Sequence, residues 1–185
     1  MIQERMQKGF RGLFKRIAKR VKKNQLFEQP GERETQAPVF GEAETECIQL
    51  MNAGDIEERL LGARVVNHWA TWCEPCVEEL DILASIQSHI GSDKMLGVNW
   101  DLFQSGSFEE AKIDIVNQTD KHGLTYAQCV VSDEPDVFFQ QFDLEQQNVP
   151  QTFVYSPMFE VLFHRIGVLT EEDIATVVEL VKQTN

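Results

Sequence analysis

The chain has 185 residues and a formal net charge of −13, with 42% hydrophobic and 25% charged residues, an ordinary globular composition. It has no run of ~18–20 apolar residues, which excludes a membrane-spanning helix on pattern alone. Four cysteines are too few for a disulfide-dense secreted scaffold of this length. Residues 1–30 hold nine Lys/Arg and two Glu, a net +7, so the remainder carries −20. An acidic body with a basic arm is a poor fit to nucleic acid, because phosphates would repel the body.

Residues 1–25 place Ile2, Met6, Phe10, Leu13, Ile17 and Val21 at three- and four-residue steps, with Lys and Arg filling the other positions. That pattern predicts a basic amphipathic helix over an arm of residues 1–27. Such a helix suits an anionic membrane surface, an acidic partner or the acidic body itself. The start lacks the uninterrupted apolar stretch of a secretory signal. The expected compartment is therefore the cytoplasm, with peripheral membrane contact through the arm, or the periplasm if the true start lies elsewhere. Residues 28–38 read as a polar linker, and a globular domain is expected over 39–185.

Within that domain, residues 47–50 predict a short edge strand, with Cys47 as a packing residue. Asp55 to Leu61 predicts a short helix ended by Gly62. Ala63–Ala70 predicts a strand, with Asn67 and Trp69 on one face and Val66 and His68 on the other. His68 reads as a satisfied polar residue rather than a ligand. Next comes Trp72-Cys73-Glu74-Pro75-Cys76, then a helix expected to run to about His89, burying Val77, Leu80, Leu83, Ala84 and Ile86.

Two cysteines two residues apart at a helix start can close a small disulfide ring. The unpaired N–H groups and the dipole there favour a thiolate. Cys73 is expected to attack and Cys76 to resolve. Glu74 beside Cys73 opposes the dipole through like charge, which points to a reducing rather than a strongly oxidising pair. The competing use of this spacing is a metal knuckle. A zinc site needs a second pair, which is not visible, and a copper site would need Cys73, Cys76 and a distant His164.

Met95–Asp101 predicts a second strand. Residues 107–122 predict a helix with Ser107 and Glu110 as a capping box and Gly123 at its end. Tyr126–Val131 predicts a third strand, in which Cys129 packs as a small apolar residue. Residues 135–143 predict a short helix with Pro135 in its first turn. Val149-Pro150 precedes an apolar strand that turns at 156–160 into a hairpin partner, Val161–Ile166. Thr170 is expected to cap a last helix burying Ile174, Val177, Val178 and Val181. Alternation followed by a hairpin predicts an α/β fold with a mixed sheet and helices on both faces.

This order resembles the thioredoxin fold. The wording from Val66 to Cys76, then Glu79, then Val149-Pro150-Gln151-Thr152-Phe153, is similar to the TlpA/ResA-like thiol-disulfide oxidoreductases. The resemblance spans about residues 40–185. It implies a protein disulfide reductase without a cofactor or metal, acting on protein disulfide substrates and recharged by an electron donor. Cys73 would be the nucleophile, Cys76 the buried resolving thiol, and Pro150 a cis-proline facing the disulfide. Val149 would pair with a substrate chain, Trp72 would flank the site, and Glu79 would assist proton transfer behind Cys76. A solvated helix glutamate is the alternative for Glu79, and a non-catalytic adaptor tethered by the basic arm is the alternative for the whole. The chain departs from the family in four places. Asn67 stands where thioredoxins have a buried aspartate, Asp81 where the family often has a helix-kinking proline, and His68 where an apolar residue is usual. A basic arm replaces an apolar N-terminus.

Overall fold

The computed structural model describes residues 48–60, 62–141 and 148–183. The arm, the linker, the start of the domain at 39 and Cys47 lie outside the described residues.

Six strands form one sheet. In chain order they are β1 (Ile48–Met51), β2 (Val65–Trp69), β3 (Met95–Asn99), β4 (Ala127–Val131), β5 (Gln151–Tyr155) and β6 (Val161–Ile166). Their spatial order is β1-β4-β3-β2-β5-β6. The first four run parallel, and β5 and β6 join antiparallel, giving the expected mixed sheet. β2, β3 and β5 are buried along their whole length, which explains their apolar wording without clean alternation.

The helices are α1 (Ala53–Arg59), α2 (Glu74–Glu78), α3 (Leu80–Ile90), α4 (Leu102–Ser105), α5 (Phe108–His122), α6 (Pro135–Gln141) and α7 (Glu171–Gln183). α3 packs against α5 and α7 on the sheet face that carries Asn67 and Trp69. On the opposite face α6 sets Phe138 and Phe139 around Trp100, and Phe138 also meets His68. Each buried Phe of this kind contributes roughly 1.5–3 kcal/mol.

Several local signals act as the sequence suggests. The Ser107 hydroxyl accepts from the Glu110 N–H at 3.2 Å, and Gly123 closes α5 in the left-handed region at φ 67°. Others differ. α1 starts at Ala53 because Asn52 accepts from the Asp55 N–H at 3.0 Å and Asp133 accepts from the Ala53 N–H at 2.6 Å. At α7 the cap is reversed. The Thr170 N–H and hydroxyl both donate to Asp173, at 2.8 and 2.9 Å, so the carboxylate in the first turn reaches back to the threonine. Arg165 pairs with the same carboxylate at 2.6 Å, tying β6 to α7 and holding the Asp173 carboxyl below its usual range.

Gly97 is required by a close approach. A Cβ there would stand 1.8 Å from the Gln128 Oε1, and that oxygen accepts the Trp69 indole N–H at 2.9 Å. The glycine leaves room for the bond that pins Trp69, four residues before Cys73.

Candidate active site

β2 ends at Trp69, and the chain turns through Ala70, Thr71 and Trp72. The Cys73 N–H donates to the Ala70 carbonyl at 3.2 Å, closing the turn. Cys73 is extended (φ −91°, ψ 97°) and serves as the N-cap of α2, its sulfur accepting the Cys76 N–H at 3.3 Å. Pro75 fits the first turn because no N–H is needed there. Cys73 and Cys76 are joined by a disulfide. The two cysteines are unequal in access: Cys73 keeps 7% of its surface and Cys76 keeps none. Trp72 is exposed beside them.

The antiparallel pairing of β5 with β2 brings the start of β5 to the end of β2, with Gln151 opposite His68. Pro150 is therefore delivered to the end of the sheet from which the Cys73 turn emerges. The Val149–Pro150 peptide is cis. The Pro150 carbonyl accepts the Gly167 N–H at 2.9 Å, fixing this loop to the one that leads into α7.

Behind the cysteines the helix does not run on from Cys73 to His89. It breaks at Glu79 (φ −86°, ψ −5°), between α2 and α3, although Asp81 rather than a proline follows. Asp81 is exposed and pairs with His122 at 2.6 Å. The break turns Glu79 inward, where it is fully buried. Its Oε1 accepts from Asn67 Nδ2 at 2.8 Å and its Oε2 from the Leu169 N–H at 2.8 Å. Asn67 also donates to the Thr152 hydroxyl oxygen at 3.0 Å. Burial pushes the Glu79 carboxyl from an ordinary 4.5 up to about 7, against the two hydrogen bonds, which favour the charged form. The solvated reading of Glu79 is excluded by this burial.

A disulfide-bonded pair at a strand-to-helix turn, a proline loop at the adjoining strand and this sheet order decide the architecture. The fold is thioredoxin-like. Solved structures of several proteins share it. The thiol:disulfide interchange protein of the thioredoxin family from Chlorobium tepidum TLS matches at a TM-score of 0.50 and 21% identity, over 67% of this chain and 83% of that one. A DsbF homologue from Corynebacterium diphtheriae matches at 0.50 and 23%, over 63% and 69%. The thioredoxin domain of a thiol-disulfide oxidoreductase from Bacteroides vulgatus matches at 0.50 and 17%, over 69% and 84%. In sequence the chain is similar to the thiol-disulfide oxidoreductase ResA of Bacillus subtilis, 30% identical over 119 residues, which are 63% of this chain and 60% of that protein. The chain thus spans less than two thirds of that relative's length. No family model matches the chain.

In this thioredoxin-like domain some residues stand apart from expectation. His68 is buried, but not satisfied. Its Nδ1 has no partner among the described residues, and burial among Trp100, Phe138 and Phe153 pushes its pKa down to about 3, so it is neutral. His164 stacks on Phe153 at 4.1 Å and its Nε2 meets Gln151 Oε1 at 3.2 Å. Among the described residues no three His, Cys, Asp or Glu side chains gather as a metal-ligand group. Cys129 is buried with its thiol 3.2 Å from the Met51 sulfur, and burial pushes it up to about 12, so it packs and stays protonated. Sequence reading missed Asp101, which lies just beyond β3 and binds Thr71. An aspartate directly after a strand and before a helix was its only signal.

Proposed function

We propose that the chain is a thiol–disulfide oxidoreductase working as a reductant of protein disulfides. The observation that carries the reading is the Cys73–Cys76 disulfide at a strand-to-helix turn, in which only Cys73 reaches the surface. In the dithiol form the Cys73 thiolate attacks a substrate disulfide. A Cys73–substrate bond forms, the substrate S–S bond breaks, and the released sulfur takes a proton. Cys76 then gives its proton to the Glu79 carboxylate and attacks the Cys73 sulfur. The internal disulfide closes and the second substrate thiol leaves. Two electrons pass to the substrate, so an external dithiol donor must restore the pair. Trp72 and the Val149 backbone beside Pro150 line the approach of the substrate chain.

The similarity to a thiol-disulfide oxidoreductase supports this reading, and no observation favours the adaptor. The deciding experiment removes resolution while sparing attack. Reduced Cys76→Ser protein, mixed with insulin, is expected to accumulate a mixed disulfide through Cys73 that dithiothreitol releases. Absence of that adduct, with the protein folded, overturns the proposal.

The sequence pattern of residues 1–27 supports a second element, docking of the protein on an anionic membrane from the cytoplasmic side. Co-sedimentation with phosphatidylserine-containing vesicles should fall at least tenfold when residues 1–28 are removed. Equal binding by both forms removes the membrane contact.

A further inference from the structure

We infer that Asp101 is a positioning residue of the Cys73–Cys76 centre, locking the turn that delivers Cys73 and placing a carboxyl group at that turn. The inference rests on the redox reading of that pair.

The pairing of β2 with β3 continues one step past the end of β3, since the Trp100 N–H donates to the Trp69 carbonyl at 3.0 Å. Asp101 therefore arrives opposite Thr71. It is 1% exposed. Its two oxygens stand 3.0 and 3.1 Å from the Thr71 N–H, and its Oδ1 also accepts the Thr71 hydroxyl at 2.5 Å. The Asp101 N–H is itself held by Asn99 Oδ1 at 2.9 Å.

What this carboxylate does not do is equally informative. Asp101 directly precedes α4, the position where an aspartate ordinarily accepts an N–H of its own helix. Here the backbone is already helical (φ −64°, ψ −29°) and the side chain makes no cap bond. Giving up a cap weakens the helix end, and burying a carboxylate is costlier still. Burial and the neighbouring Asp114 both push the Asp101 carboxyl up, and the bonds from Thr71 and Asn99 oppose them. A buried acid taken from its own helix and spent on the residue two before Cys73 serves the turn.

The consequence is twofold. Thr71 is fixed from both its N–H and its hydroxyl, so Trp72 and Cys73 leave the sheet in one direction. A carboxylate near that turn also disfavours a Cys73 thiolate, and so favours the disulfide over the dithiol. That bias makes the reduced protein a better donor of electrons.

The test uses the full chain. The Cys73–Cys76 equilibrium is measured against reduced and oxidised glutathione, and insulin reduction is followed alongside. Asp101→Asn keeps the shape and an acceptor for Thr71 but removes the charge. It should shift the equilibrium three- to tenfold toward the dithiol; tenfold is about 30 mV for this two-electron couple. Thr71→Ala should slow insulin reduction at least threefold, and Thr71→Ser, which keeps the hydroxyl, should restore it. An Asp101→Asn equilibrium within twofold of the unsubstituted protein overturns the inference, as does a Thr71→Ala variant of full speed. If Asp101→Asn does not fold, the Thr71 pair alone decides. Failure of the unsubstituted protein to exchange with glutathione at all would instead sink the redox reading beneath it.

Discussion

Replacing Cys73 by serine is expected to drop protein-disulfide reduction to the uncatalysed background, a loss of at least about a thousandfold, with the fold retained. The physical reason is the asymmetry of the pair. Cys76 has no exposed surface, so it cannot substitute as the attacking group. A serine hydroxyl at 73 stays protonated at neutral pH and is a poor nucleophile toward sulfur. The fold should survive because Cys73 sits at a helix cap, and serine is a good N-cap whose oxygen can still accept the Cys76 N–H. The variant also separates attack from docking. It should still bind a substrate chain along Trp72, Val149 and Pro150, yet form no mixed disulfide, whereas Cys76→Ser forms one and cannot release it. Insulin turbidity, with non-reducing gels for the adduct, reads both. A Cys73→Ser protein that retains more than a few per cent of turnover would assign the chemistry to other residues.

Much of this arrangement is legible in the sequence because its causes are local. Cys73, Pro75 and Cys76 mark a helix start by their own capping chemistry. Ser107 with Glu110, and Gly123, fix the ends of α5 without help from elsewhere. What escapes the sequence is set by partners far along the chain. The break at Glu79 has no proline or glycine to announce it. It exists because the carboxylate is drawn to Asn67 on β2 and to the Leu169 N–H ninety residues on. Asp101 reads as the end of a strand until Thr71, thirty residues earlier, claims its side chain. The reversed cap at α7 depends on Asp173, which also serves Arg165. His68 reads as an ordinary strand residue, and its unpartnered Nδ1 emerges only when Trp100, Phe138 and Phe153 close around it. A sheet built from non-local pairing hides such polar couplings, while its apolar runs remain visible.

Glu79→Gln is expected to slow resolution by Cys76 at least tenfold and to erase a pH dependence centred near 7. With its carboxyl raised to about 7, Glu79 is split between acid and base at neutral pH, the condition in which general base catalysis is most effective and can supply about 10²–10⁴-fold. The rate of mixed-disulfide release should therefore climb through pH 7 in the unsubstituted protein and lose that inflection in the variant. Stability should carry the same signature, with a definite sign. A carboxyl whose folded pKa is raised binds its proton more tightly in the native state than in the unfolded one. Its contribution is fully present below about pH 4.5 and is lost as pH rises through 7. The shift corresponds to roughly 3 kcal/mol at most, since each pKa unit is worth about 1.4 kcal/mol. Glutamine has no such titration. Like the protonated carboxyl, it brings a donor to the place where Asn67 or Leu169 already donates, so it mimics the low-pH form of Glu79. The unsubstituted protein should thus lose stability relative to the variant between pH 5 and pH 9. Urea midpoints of the oxidised proteins across that range check the slope. Parallel curves for the two proteins, together with an unchanged release rate, would mean that Glu79 is not the group that titrates behind Cys76.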